Sequence, residues 1–121
     1  MGLHSIVKIT LRSSDFARTE RFYNELFGWK FQQYSETYLG FEPPSGIAGG
    51  FQKRDTFIQG DSYLIYVLVD EFETYLERIP PLGGRCAGEI EAVSETVQYV
   101  RIYDPDENRL ALLRDISLSR A

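Results

Sequence analysis

DFARTERFYNELFGW, residues 15–29, encodes an amphipathic helix together with its start and stop signals. Asp15 follows two serines and supplies N-cap chemistry, while Gly28 is well placed to end the helix. The apolar positions between them fit one helical stripe, which contains Phe16, Ala17, Phe22, Tyr23, Leu26 and Phe27. The stretch therefore predicts a helix with one apolar face, ending just before Trp29.

The second half of the chain repeats the order of the first. Asp15-Phe16 has a counterpart in Glu71-Phe72, 56 residues later, and Gly28 has one in Gly83, 55 residues later. A repeat of this length predicts one domain built from two similar units, with a cavity where they meet.

Alternating apolar and polar residues predict four strands in each half. In the first half they span residues 6–11, 29–34, 38–42 and 47–52, and in the second half 63–69, 85–93, 96–103 and 109–114. A second helix is predicted at 71–79, with Asp70 as its cap. The predicted fold class is α+β, a single domain over residues 1–121. Its two βαβββ modules lie at about 5–53 and 62–115, joined near 53–60.

Composition limits the function classes. The chain has 121 residues, 43% of them hydrophobic, and a net charge of −5. Its length is typical of one domain, and its acidity makes non-specific nucleic-acid binding a poor fit. No apolar run approaches the roughly 20 residues that span a membrane, and no signal peptide is visible. Cys86 is the only cysteine, which excludes an intrachain disulfide and indicates a cytoplasmic location. The residue itself is interpreted as a small core residue.

Four motifs in this order resemble the vicinal oxygen chelate superfamily, which includes glyoxalase I, bleomycin-resistance proteins and extradiol dioxygenases. They are Arg21-Phe22-Tyr23 leading to Gly28-Trp29, Gly49-Gly50, Val67–Glu71 followed by Leu82-Gly83-Gly84, and the turn Asp104-Pro105-Asp106-Glu107-Asn108. The resemblance implies a glyoxalase-like curved mixed sheet around a cavity, and a homodimer. Glu107 stands where glycine is usual in this family, so we expect a differently shaped turn.

The resemblance also implies one divalent metal held by four side chains, usually His, Gln or Glu. The matching positions in the first, fifth and eighth predicted strands are Lys8, Leu64 and Ala111, and Gln52 is the candidate in the fourth. A protonated lysine has no lone pair to offer, and leucine and alanine have no donor atoms, whereas such sites generally need three or four ligands. We therefore expect no metal and no other cofactor.

Strand alternation predicts which side chains line the cavity. Val7, Ile9 and Leu11 are expected to face the helix. The candidate ligand-binding residues on the cavity face are Lys8, Thr10, Arg12, Gln52, Tyr66, Tyr99, Arg101 and Tyr103. The cations suit a carboxylate or phosphate, and the tyrosines suit stacking or hydrogen bonding. Alternatively, Glu42, Glu89 or Glu91 neutralises the cations in structural ion pairs.

Three functions remain open at this stage. The leading one is a metal-free, small-molecule-binding protein for an anionic or aromatic ligand. The second is a lyase, isomerase or dioxygenase-related enzyme with a shifted or metal-free site, although the sequence identifies no catalytic residue. The third is a dimerisation or interaction domain that uses Phe41, Phe51 and Phe57, which would otherwise belong to the core. No nucleic-acid or membrane partner is expected.

Overall fold

The computed structural model describes residues 2–4, 6, 8–54 and 64–117. The chain divides into two compact units, Met1–Phe57 and Ile58–Ala121, and this division falls within the predicted junction. Each unit contains a helix between strands of a mixed sheet, so the α+β class and the repeated βαβββ order are confirmed.

The first unit is built from β1 (Ile9–Ser13), α1 (Phe16–Phe27), β2 (Lys30–Ser35), β3 (Tyr38–Glu42) and β4 (Gly49–Lys53). Its sheet has the order β1-β4-β3-β2, in which β1 and β4 are parallel and the other pairs are antiparallel. The predicted first strand, 6–11, lies two to three residues too early, and Val7 is outside the described residues. The strand extends to Ser13 because it pairs with β4 as far as Lys53.

Helix α1 has the caps that the sequence predicts. The Asp15 carboxylate accepts a hydrogen bond of 3.1 Å from the Arg18 N–H. Gly28 adopts φ 75°, and its N–H donates to the Asn24 carbonyl at 2.8 Å. A hydroxyl–hydroxyl bond of 2.5 Å between the fully buried Ser13 and Thr19 ties the end of β1 to the helix.

An aromatic cluster forms the core of the first unit. Trp29 stacks between Tyr23 and Phe41, with ring centroids 4.7 and 4.6 Å away. Phe51 lies 5.1 Å from Tyr23 and is fully buried. Buried aromatic pairs add specific geometry to the apolar area that they remove from water. Phe41 and Phe51 thus belong to the core, while Phe57 is outside the described residues.

The second unit is built from β5 (Ile65–Leu68), α2 (Glu73–Arg78), a 3₁₀ turn (Pro80–Leu82), β6 (Arg85–Cys86), β7 (Glu91–Ala92), β8 (Val97–Tyr103) and β9 (Arg109–Asp115). Strand β5 pairs in parallel with β9, which pairs antiparallel with β8, and both β6 and β7 pair with β8. The core includes Val100, Ile102, Leu110 and Leu112, each at most 1% exposed.

Three predictions for the second unit are corrected. The N-cap of α2 is Phe72 rather than Asp70, and the carboxylate that accepts a helix N–H, that of Thr74 at 2.9 Å, belongs to Glu71. The predicted strand 85–93 is two short strands, because four residues separate Cys86 from Glu91 where only two separate their partners on β8. Cys86 is exposed rather than in the core, since β6 lies at the edge of the sheet.

In the described part of the chain, no helix is both long enough and apolar enough to cross a membrane.

Candidate functional site

The sheet of the first unit has one face against α1 and one open face. The helix-facing side carries Leu11, Leu39 and Phe51, which are buried neighbours in register. The buried residues of α1 include Phe22. Because side chains alternate along a strand, Lys8, Thr10, Arg12 and Gln52 lie on the open face, together with three residues of β2 and β3, namely Lys30, Tyr38 and Glu42. The predicted cavity-facing residues of this unit are therefore on one surface.

Two paired glycines on this face make room for two tyrosine rings. Gly40 and Gly50 are direct partners across β3 and β4. A methyl group at Gly40 would collide with the Tyr34 ring, and one at Gly50 would collide with the Tyr38 ring and hydroxyl. The two rings lie 6.4 Å apart and so form an aromatic floor on the sheet. We call Tyr34 and Tyr38 the tyrosine pair.

Gly49 has a different role, because it permits a close approach of the backbone. It is the register partner of Ile9, and a Cβ at this position would collide with the Ile9 carbonyl. Both adjacent glycines, Gly49 and Gly50, thus lie where a neighbouring group approaches the strand closely. The neighbour is the β1 backbone at Gly49 and the Tyr38 side chain at Gly50.

The open face contains a depression of about 520 Å³. Besides the tyrosine pair, it is lined by Lys8, Lys30, Phe31, Gln32, Gly40, Phe41, Glu42, Ala48 and Gly49. The Lys8 ammonium lies 5.5 Å from the centroid of the Tyr38 ring, which is within cation–π range. Among the described residues, neither Lys8 nor Lys30 forms an ion pair. The lining residues thus carry two cations and one carboxylate, that of Glu42.

The Tyr38 hydroxyl is buried and has no hydrogen-bond partner in the part of the chain that the structure describes. Such a group costs about 1–3 kcal/mol if it stays unsatisfied, so it is suited to bond a ligand. Neither Tyr34 nor Tyr38 was among the sequence candidates. Strand alternation together with the two glycines could have identified Tyr38, because a glycine leaves space for the ring on a neighbouring strand.

The other predicted residues of this unit lie away from the lining of the depression. Thr10 and Gln52 are on the same face, and Arg12 is the register partner of Gln52. Thr10 is exposed, whereas Arg12 and Gln52 are half-buried. The depression therefore contains Lys8 but none of these three side chains in its lining, and their roles as ligand contacts stay predictions.

The second unit places its four predicted residues on one open face as well. Val100, Ile102, Leu110 and Leu112 are buried, and the alternate positions carry Tyr99, Arg101 and Tyr103. Tyr66 is on the same face, as the register partner of Ala111, and its ring meets that of Tyr99 edge to face at 5.7 Å. The alternation thus predicts the open face correctly.

Two arginines on this face are paired with glutamates. Arg101 Nη2 lies 3.4 Å from Glu91 Oε2, which is the pairing anticipated as the alternative to ligand binding. Arg85 donates to both carboxylate oxygens of Glu107, at 3.1 and 3.2 Å, and its guanidinium lies 4.0 Å from the centre of the Tyr103 ring. Both pairs are partly exposed, so each contributes at most about 1 kcal/mol.

Glu91 also affects the ionisation of its register partner, Tyr99. A side-chain hydrogen bond to Glu91, desolvation by burial and the negative charge of that carboxylate raise the pKa of Tyr99 above its usual 10.0, and the charge of Arg101 opposes them. Tyr99 therefore stays a neutral hydrogen-bond donor through the physiological range.

The two units have matching strand registers, which bears on metal binding. The first strands are offset by 56 residues, so Lys8 corresponds to Leu64 and Thr10 to Tyr66. Thr10 pairs with Gly50 and Tyr66 pairs with Ala111. Gly50 is therefore the counterpart of Ala111, and neither side chain has a donor atom. The described residues contain no group of three or more His, Cys, Asp or Glu side chains that could hold a metal ion. The donor set at these positions does not fit the metal site that the resemblance implies.

Comparisons with known proteins agree with this architecture. The sequence model described as Glyoxalase/Bleomycin resistance protein/Dioxygenase superfamily matches residues 5–112. The chain therefore belongs to this superfamily. No curated protein matches the sequence significantly.

Several solved structures share the fold. The fosfomycin resistance protein FosX from Listeria monocytogenes, in complex with Mn(II) and sulfate, is 21% identical with a TM-score of 0.79, over 98% of this chain and 96% of that one. A glyoxalase-related enzyme from Fulvimarina pelagi is 18% identical with a TM-score of 0.74, over 93% and 89%. A family enzyme from Burkholderia phytofirmans is 14% identical with a TM-score of 0.70, over 89% and 96%.

Proposed function

We propose that this protein binds a small aromatic anion in the depression of its first unit, without using a metal ion. The observation that carries the proposal is the combination at Tyr38. Its ring lies beside the Lys8 ammonium, and within the described part of the chain neither that ammonium has an ion-pair partner nor the buried hydroxyl a hydrogen-bond partner. Both groups gain a partner if an anion on a planar ring lies on the tyrosine pair.

The chemistry of the lining assigns a part to each group. The tyrosine pair offers ring faces for stacking on a planar ligand. Lys8 and Lys30 each offer a compact positive charge with several N–H donors, and the Tyr38 hydroxyl offers one more donor. A neutral aromatic compound would forfeit the charge-assisted bonds, and a simple anion would forfeit the stacking. The depression therefore favours a ligand that combines both properties.

Calorimetric titration with three probes tests this assignment. Benzoate has a ring and a negative charge, benzyl alcohol has only the ring, and acetate has only the charge. We expect benzoate to bind more tightly than either of the other two. Binding of benzyl alcohol that equals or exceeds that of benzoate would show that the lysines do not select the ligand.

Lys8→Gln provides the residue-level test. A charge-assisted hydrogen bond contributes about 1.5–3 kcal/mol, so we expect benzoate affinity to fall about tenfold or more. Lys53→Gln is the matched control, because Lys53 lies 5.4 Å from the centre of the Phe16 ring in the same unit but does not line the depression. Equal losses in the two variants would point to general charge effects and would contradict the proposal.

The metal-free part of the proposal has its own test. Lys8, Gly50, Leu64 and Ala111 offer no ligating atom at neutral pH, which supports binding that needs no ion. The purified protein, after incubation with Zn²⁺, Ni²⁺ or Mn²⁺ and desalting, is expected to retain less than a stoichiometric amount by elemental analysis. One equivalent of tightly held metal would overturn this part while leaving the benzoate experiment to be judged separately.

A further inference from the structure

We propose that the second unit contains a separate site for a small inorganic oxyanion such as phosphate or sulfate. The site is a pocket of about 100 Å³ at the open face of its sheet. The polar side chains in its lining are Arg101, Tyr103 and Arg109, and the remaining lining residues are Leu64, Ala87, Ile102 and Leu110. Among the residues that the structure describes, no acidic side chain lines the pocket.

The strand register explains why these groups come together. Tyr103 and Arg109 are direct partners across β8 and β9, and Arg101 is two residues from Tyr103 along β8. All three therefore share one face, with the two guanidinium groups on diagonal positions. Long side chains at such positions can reach each other. The arrangement concentrates two positive charges beside a phenol, and an oxyanion can accept hydrogen bonds from all three.

The size and the lining favour a small ion over an organic ligand. A cavity needs only about 10–15 Å³ to hold one water molecule, so 100 Å³ accommodates a tetrahedral oxyanion but few additional atoms. Guanidinium groups bind such ions through paired N–H donors. On its other side, Tyr103 is held by Arg85, which is itself bonded to Glu107. The phenol is therefore positioned before any ion binds.

Glu91 competes with the ion for Arg101. Their contact is 3.4 Å long, and the two side chains are 44% and 47% exposed. Exposed pairs of this kind contribute little, so an ion that accepts two hydrogen bonds from Arg101 can displace the carboxylate. Glu91→Gln should therefore tighten binding of the ion about threefold, because the competing negative charge is lost.

Titration of the whole protein with inorganic phosphate, followed by NMR of the arginine side-chain N–H groups, tests the proposal. We expect saturable shifts at Arg101 and Arg109. Arg101→Gln and Arg109→Gln should each weaken binding about tenfold, by the loss of a charge-assisted bond. Arg101→Lys should recover only part of the loss, since it restores the charge without the fork.

Arg21→Gln is the matched control, because Arg21 also forms an exposed pair with a glutamate, Glu25, but lies on α1. Its affinity for phosphate should stay within twofold of that of the wild type. Shifts without saturation at millimolar phosphate, or equal weakening by Arg21→Gln and Arg101→Gln, would overturn the site. Lys8→Gln should leave phosphate binding unchanged, so failure here and failure of benzoate binding are distinguishable.

Discussion

The Lys8 ammonium lies over the Tyr38 ring, 5.5 Å from its centroid, on the open face of the first unit. This contact joins the residue that directly precedes the edge strand β1 to β3, and these two strands are not neighbours in the sheet order. It is possible because β4, the strand between them, carries Gly50, whose missing side chain lets Tyr38 lie over the sheet. The site therefore depends on a glycine as much as on the two side chains that meet.

Tyr38→Phe should affect stability and binding in opposite directions. Since the hydroxyl is buried with no partner among the described residues, its removal should raise the free energy of unfolding by about 1 kcal/mol. The same change should weaken benzoate binding several-fold, because the ligand loses one donor. Urea denaturation and calorimetric titration measure the two effects. Tyr34→Phe, which changes a ring that is 66% exposed, should leave stability unaltered.

The adjacent glycines of β4 should respond differently to alanine. Gly49→Ala places a methyl group against the Ile9 backbone and should destabilise the protein by about 3 kcal/mol, at the upper end of overpacking costs. Gly50→Ala meets the Tyr38 side chain, which can move aside, so it should cost less stability but more benzoate affinity. Gly88→Ala is the control, because nothing lies within 4 Å of its added methyl group. Equal stability losses at positions 49 and 50 would contradict this distinction.

The extent to which the sequence predicts this structure depends on the range of the interactions. The caps of α1 are local, and Asp15 and Gly28 indicate them directly. The strand faces follow from alternation, which correctly exposes Lys8 and Arg101. The break in the predicted strand 85–93 depends on pairing with β8, about ten residues away, and no local signal in the sequence reports it.

The candidate site was predictable in its charges and less so in its partners. Lys8 was identified from its strand position, whereas Tyr38 depends on the pairing of β3 with β4 and on the space above Gly50. The pairing of Arg101 with Glu91 was one of the open alternatives, since a sequence does not specify which of several glutamates lies across a sheet. The partners of Lys8 and Arg101 are thus determined by strand register, which composition does not reveal.

Glu107 adopts φ 64°, a left-handed conformation that favours glycine. The sequence predicts a differently shaped turn, whereas in the structure Glu107 adopts a glycine-like conformation. Its carboxylate is bonded to Arg85. Glu107→Ala and Glu107→Gly both remove this pair, but only alanine retains the strain. We expect the glycine variant to be more stable than the alanine variant by about 1 kcal/mol in thermal or urea unfolding. The reverse order would mean that the turn is not strained.

Glu91→Gln should lower the pKa of Tyr99 toward its usual value of 10.0, because the carboxylate is the largest cause of the increase. In the wild type the folded-state pKa lies above that of the unfolded chain. Tyr99 therefore contributes stability that is fully present below a pH of about 10 and is lost as the pH rises through the folded-state pKa. The variant should lose less stability across that interval. NMR of ¹³C-labelled tyrosine measures the pKa at the single residue, and Glu89→Gln, a nearby exposed charge, should leave it unchanged. If Glu89→Gln and Glu91→Gln lower the pKa equally, the increase arises from the general negative charge of the protein rather than from the contact with Glu91.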